Sequence, residues 1–421
     1  MIDQTVQVKG FQKCVNSQCN KKHAIELILF QCPDCNSPME YTFENQLDFS
    51  EQAESQWKNF DMMPLTHRSN ICSLGEGDSD IVELEEISKF VNNARVFIML
   101  DMTKNPTGTF KDREASLIIS RCKEAGLDNL VFYSTGNTGR AYTHYGAHFG
   151  LTTYFFMPKQ CHYKNTDFIR KEKNNHIIYV DDHYPQIAPF AKRFAKENGF
   201  QLVAPLHDRT EAYATLAYEQ IQKLPSCTHF VQTIASGMGP IGFYKGHMNL
   251  SRQINSNHKI PKVVCVQSSE TDVMTRAYNS GRTSITSSDL PSVFVDDLFE
   301  PTLNSTNPVN NYPDLYRCLD ESQGIITSVT PTFVKETSAI ISAALQKRNI
   351  LLRADKENSL LIEFAGLMAL AKENKFSSSD VILILACGRG RDTSNTLFTP
   401  DMVINPKVDE PVRIKDFLLS K

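Results

Sequence analysis

From about residue 85 onward, short apolar runs alternate with segments whose apolar positions recur every three to four residues. VFIML, NLVFYS, TTYFFMP, HIIYVDD, FQLVAP, THFVQTIAS, KVVCVQS and VILILACG each read as a strand. Between them, FKDREASLIISRCKEAG, GRAYTHYGAHFG, NTDFIRKEKN, YPQIAPFAKRFAKENG and TEAYATLAYEQIQKL carry helical spacing, as do the later KETSAIISAALQKR and SLLIEFAGLMALAKEN. Runs this short and apolar, each followed by a helix, predict an α/β fold with mostly parallel sheets flanked by helices. Residues 268–330 are less regular and rich in Ser, Thr, Asn and Pro. The tail after Pro400 reads as extended or weakly helical, and the chain shows no internal repeat.

The chain has 421 residues, room for two domains and a small module. Its formal charge is −4, which argues against a nucleic-acid binder and against a polybasic membrane clamp. No apolar run approaches the ~20 residues of a spanning helix. MIDQTVQVKG lacks the charged start and apolar core of a signal peptide, so the cytoplasm is the expected compartment.

Eleven cysteines, an odd number, do not suggest a disulfide framework. Cys72, Cys122, Cys161, Cys227, Cys265 and Cys318 stand alone in apolar contexts and read as small buried hydrophobes. Cys14, Cys19, Cys32 and Cys35 form two close pairs, the second a CPDC turn. Two such turns joined by one strand, NKKHAIELILFQ, can close a four-thiolate zinc site. The alternative is four reduced thiols without metal. A module this short has no core of its own, so metal would supply much of its stability.

Four segments lie where strands hand over to helices, the usual ligand position in parallel α/β sheets. KNPTGTFKDR (104–113) puts Lys111 in the first turn of a helix, where a cation opposes the helix dipole. STGNTG (134–139) offers amides and short side chains suited to a carboxylate; a simple cap by Ser134 or Thr135 is the plainer reading. SGMGPIG (236–242) brings three glycines within seven residues, but it is neither a P-loop nor a dinucleotide fingerprint. ACGRGRD (386–392) sets a thiol and two glycines at a strand end beside Arg389 and Arg391.

In this order the four segments resemble the pyridoxal-phosphate enzymes of fold type II, the tryptophan synthase β family, and among these the threonine synthases. SLGEGDSD (73–80), TNPVNNY (306–312) and the cysteine ribbon add to the likeness, which runs from about residue 10 to 395. The resemblance implies that Lys111 is the catalytic, Schiff-base lysine and that Asn137 contacts the cofactor. It implies that Ser236, Gly237, Met238, Gly239, Ile241 and Gly242 cup the cofactor phosphate and that Cys387 faces the pyridine nitrogen. Ser134, Thr135, Gly136, Thr138, Arg209 and Arg389 would bind substrate. It also implies a ribbon over 1–45, a large cofactor domain over 46–112 and 215–400, a small closing domain over 113–214, and a tail over 401–421. A homodimer acting on a small phosphorylated amino acid is expected, with neither nucleic acid nor membrane as partner.

The segment HDRTEAYAT (207–215) keeps Arg209 and Glu211 of the threonine synthase pattern but not its flanking Asn and Gly-Gln, and Cys387 replaces a Thr. Threonine formation from O-phosphohomoserine and water is therefore weighed against cysteate formation from O-phosphoserine and sulfite, and against a non-catalytic binding homologue. A neutral thiol at the pyridine nitrogen suits elimination of a good leaving group.

Overall fold

The computed structural model describes residues 8–47, 55–164, 174–182, 184–203, 206–253, 258–290, 298–303, 308–352, 357–388 and 400–419. The chain divides into two compact units: residues 1–76, 111–212 and 393–421, and residues 77–110 and 213–392.

The first unit holds a five-stranded parallel sheet in the order Met402–Ile404, Asn175–Val180, Thr152–Pro158, Asn129–Tyr133, Gln201–Leu202. Side chains alternate across it, as a two-residue period requires. Val131, Tyr154, Phe156 and Ile178 meet Phe190 and Phe194 of helix Tyr184–Asn198 and Ile414 and Leu418 of helix Pro411–Leu419. Phe132 and Phe155 point the other way, where Phe132 packs on Tyr142 of helix Asn137–His148. The tail after Pro400 thus supplies both a strand and a helix. A separate antiparallel sheet of Lys22–Ala24, Gly10–Cys14 and Met39–Phe43 carries the four paired cysteines. The strand expected between the cysteine pairs is only three residues long. After Ala24 the chain turns, and Gln12 Nε2 donates to the carbonyls of Ala24 and Leu27, filling acceptors a longer strand would have used.

The second unit is built on a six-stranded sheet in the order Ile325–Val329, Lys262–Ser268, His229–Thr233, Val381–Leu385, Arg95–Met99, Ile81–Glu83. All pairings are parallel except the last, at the edge. Both faces are covered, which explains the near-continuous apolar strands. Val96, Ile98, Val264, Val266, Ile382 and Ile384 pack with helices Pro331–Lys347 and Ser359–Lys372. Phe97, Met99, Phe230, Cys265, Leu383 and Leu385 face helices Met238–Ser251 and Tyr312–Glu321. The six isolated cysteines are all buried and unbridged, as expected of small hydrophobes in a core.

No helix among the described residues is long and apolar enough to cross a membrane. The helix expected over NTDFIRKEKN lies almost wholly outside the described residues.

Packing between helix Ser359–Lys372 and the sheet is set by one glycine. A Cβ on Gly366 would come within 2.5 Å of both γ-carbons of Val266. Val266 is β-branched and has little rotamer freedom with which to yield. Gly366→Ala is expected to lower stability by about 1–3 kcal/mol despite alanine's better helix propensity. A lower denaturant midpoint at unchanged slope would show it; an unchanged midpoint would mean that the layer yields freely.

Candidate active site

In the first unit, Lys111 opens helix Lys111–Glu124. The cost of a cation at a helix start is offset locally, because Asp112 and Glu114 lie in the same first turn. Lys111 Nζ is 3.8 Å from Oε2 of the fully buried Glu114. The same oxygen lies 3.7 Å from Nη1 of Arg209, the first residue of helix Arg209–Lys223. Thr138 Oγ1 donates to Glu114 Oε1 at 3.1 Å. Three residues from three helix starts therefore converge on the Glu114 carboxylate. Lys111 and Arg209 thus share one carboxylate oxygen, with the buried Asp112 and Glu211 in the same two first turns.

The Ser134–Thr138 loop joins strand Asn129–Tyr133 to helix Asn137–His148. Ser134 and Thr135 are buried, and Ser134 Oγ accepts the Gly136 amide at 3.0 Å. Gly136 occupies the cap position, and no side chain caps the helix. Neither Ser134 nor Thr135 caps the helix, and the Ser134 hydroxyl serves the loop instead. Asn137 Oδ1 accepts from Arg140 at 3.3 Å. Tyr142, one turn into the same helix, has a buried hydroxyl with no hydrogen-bond partner, and burial pushes its pKa well above the usual value.

In the second unit, strand His229–Thr233 runs into Ser236 and Gly237, and helix Met238–Ser251 follows. Gly237 sits in the left-handed region at φ 79°, which disfavours any side chain there. A Cβ on Gly239 would lie 2.4 Å from Gln232 Nε2. The first turn of this fourteen-residue helix, with Met238, Ile241 and Gly242, carries no acidic residue. Gln232 Nε2 donates to Cys387 Sγ at 3.4 Å, while its buried Oε1 has no partner. The Cys387 carbonyl accepts from Phe110 N at 3.0 Å, and Thr109 pairs with Gly388. Phe110 directly precedes Lys111 in the chain. Arg389 and Arg391 lie outside the described residues.

The sequence profile described as "Pyridoxal-phosphate dependent enzyme" matches residues 72–388, well over half of the chain. The chain belongs to the pyridoxal-phosphate-dependent enzymes. Among curated relatives, this enzyme is 22% identical to a threonine synthase of Methanocaldococcus jannaschii over 417 residues, covering 96% of each chain. It is 26% identical to a cysteate synthase of Methanocorpusculum labreanum over 298 residues, covering 68% of this chain and 69% of that one. Among solved structures it resembles a pyridoxal-phosphate-dependent aspartate racemase in fold. There the TM-score is 0.60 at 15% identity, covering 76% of this chain and 93% of the other.

The enzyme's residues fit the cofactor. The acid-free start of helix Met238–Ser251, with a left-handed glycine before it, has the amide donors and dipole that a phosphate needs. The unpartnered Gln232 Oε1 beside Cys387 marks a polar floor with acceptor capacity to spare.

Motifs do not reach three further residues, Glu114 and Glu363 on helices and Gln232 on a strand. Glu114 lies three residues after Lys111, a spacing that puts both on one helix face. Gln232 and Glu363 were visible as lone polar residues in FVQTIA and SLLIEFAGL. Glu363 is fully buried in helix Ser359–Lys372. Its Oε1 accepts Leu385 N at 3.1 Å, and the backbone of Thr233 also bonds to the carboxyl. These are the last residues of the two strands that lead to Cys387 and to the glycine loop.

Burial raises the Glu363 carboxyl well above its ordinary 4.5, against the pull of those two backbone hydrogen bonds. A raised carboxyl contributes its full stability below the unfolded value and loses it as pH rises through the folded value. The isosteric, uncharged Glu363→Gln is expected to gain stability relative to the native enzyme as pH rises above about 4.5. Paired denaturant titrations from pH 4 to 8 would read it, and a difference independent of pH would mean that Glu363 is ionised in the fold.

Proposed function

We propose that the enzyme eliminates phosphate from a phosphorylated amino acid and adds a nucleophile in its place, in the manner of a threonine synthase. The observation that carries this reading is the shared contact of Lys111 and Arg209 with one oxygen of Glu114. It sets a proton-handling amine beside a cation able to hold a leaving phosphate. The similarity to a threonine synthase along nearly the whole chain supports it.

When bound, pyridoxal phosphate draws electron density from the substrate's α-carbon. Lys111 would hold the cofactor, take the α-proton at its Nζ and return it later, with Glu114 Oε2 3.8 Å away to orient that amine. Ser236, Gly237, Met238, Gly239, Ile241 and Gly242 would hold the cofactor phosphate, Asn137 its ring oxygen, and Cys387, a neutral donor and acceptor, its pyridine nitrogen. The amides and hydroxyls of Ser134, Thr135, Gly136 and Thr138 would orient the substrate carboxylate. Arg209, with Arg389, would take the phosphate as the carbon–oxygen bond breaks. For O-phosphohomoserine, water supplies the new hydroxyl and phosphate leaves.

The cysteate synthase relatives favour a second reading on the same residues, in which sulfite adds to the fragment left by O-phosphoserine. The two substrates differ by one methylene, which a pocket distinguishes by only about 1–3 kcal/mol.

Phosphate release should be measured with O-phosphohomoserine alone and with O-phosphoserine plus sulfite. Release from the first is the expected outcome, and Lys111→Ala should lower kcat by about 10²- to 10⁴-fold and abolish the visible cofactor band. Release from O-phosphoserine only, with a sulfonated product, would favour the second reading. No release from either would overturn both.

A further inference from the structure

The four cysteines of the small antiparallel sheet meet. Cys14 Sγ lies 3.4 Å from Cys35 Sγ, Cys19 Sγ lies 3.7 Å from Cys32 Sγ, and all four sulfurs are within 4.8 Å of one another. Four thiolates around zinc, with bonds of about 2.3 Å, stand about 3.8 Å apart, so the cluster fits that ion. None of the four is in a disulfide. Among the described residues, Met39 shares their buried cluster.

Met39 begins strand Met39–Phe43, and two residues on is Tyr41. Tyr41 is buried, burial holds its hydroxyl protonated, and that hydroxyl donates to Asp208 Oδ1 at 3.2 Å. Asp208 Oδ2 pairs with Arg121 Nε at 3.0 Å. Both charged side chains are sealed from water. The cysteine module supplies further partners of this guanidinium. Arg121 Nη2 donates to the Leu29 carbonyl at 3.2 Å, and its cationic carbon lies over the rings of Phe30 and Tyr41 at 5.2 and 5.3 Å. A further bond runs from Nη1 to the Pro64 carbonyl. Asp208 directly precedes Arg209, and its carbonyl accepts the Glu211 amide at 2.9 Å in the first turn of the helix.

We propose that the zinc-loaded cysteine module is a positioning element for the anion site: through Tyr41 and Arg121 it fixes Asp208, and thereby holds Arg209 where it takes phosphate. This rests on the reading of Arg209 given above. In a module this small, with the sulfur cluster at the start of strand Met39–Phe43, Tyr41 keeps its place only while metal closes that end. With the metal gone, Asp208 and Arg121 lose their lid of Tyr41, Phe30 and the Leu29 carbonyl. A buried ion pair opened to water no longer has one geometry, and the helix start it holds moves with it. Tyr41 and Asp208 are therefore positioning residues.

The test is the affinity of the full-length, cofactor-loaded enzyme for inorganic phosphate, measured by calorimetry, with metal content and the visible cofactor band followed in parallel. Chelation of zinc and Tyr41→Phe are each expected to weaken phosphate binding by about tenfold, the worth of one hydrogen bond to a charged group. The cofactor band should persist. Added zinc should restore the chelated native enzyme but not Tyr41→Phe. In an Arg209→Ala background, neither treatment should have a further effect, whereas general loosening of the fold would still add its own loss. Full phosphate affinity in metal-free enzyme and in Tyr41→Phe, with Arg209→Ala weakened, would overturn the relay alone. Native affinity in Arg209→Ala would overturn the assignment of Arg209 and this inference with it.

Discussion

Parallel strands all deliver their carboxyl ends to one edge of a sheet, and helices start there. The polar groups gathered at that edge are out of reach of bulk water, so each needs a partner from the protein. In the second unit, Glu363 meets this demand by bonding the ends of two strands at once. Gln232, on one of the same two strands, does so by donating to Cys387 just past the other. In the first unit, the buried Glu76 carboxylate instead ties a loop to two helices, accepting from Tyr145 at 2.6 Å, Leu74 N at 2.9 Å and Trp57 Nε1 at 3.1 Å. Buried polar side chains thus fix the loops that parallel strands leave behind, and those loops carry the groups that would hold the cofactor.

Charge follows the same logic. Lys111 at a helix start would be a burden without a counterion, and Glu114 supplies one on the same helix face. Arg209 draws on the same carboxylate, so one buried anion holds the two cations together.

The cysteine module shows a different solution to the problem of a small segment. It has too little apolar material to be stable alone, and its cluster is almost entirely sulfur. Its aromatic residues serve instead as a cover for a buried ion pair, with Tyr41 bonded to Asp208 and stacked near Arg121. The cysteine module is thereby bonded to the buried ion pair whose aspartate directly precedes Arg209.

Local patterning determined most of what is local. The strands TTYFFMP and KVVCVQS and the helices Tyr184–Asn198 and Ser359–Lys372 are readable because their periods and turn residues act over a few positions. The glycine at position 237 announces its left-handed backbone, and the two cysteine pairs announce their cluster. Lys111, the Ser134–Thr138 loop and the glycine loop could be found from strand-to-helix punctuation. What no local pattern carries is which side chains meet. Glu114 joins Arg209, Tyr41 joins Asp208, and Gln232 joins Cys387 across long stretches of chain, and each pairing exists only once the sheets are assembled. A lone buried polar residue shows in sequence that a partner is required; the partner's identity is decided by packing, because only the folded chain removes the water that would otherwise serve.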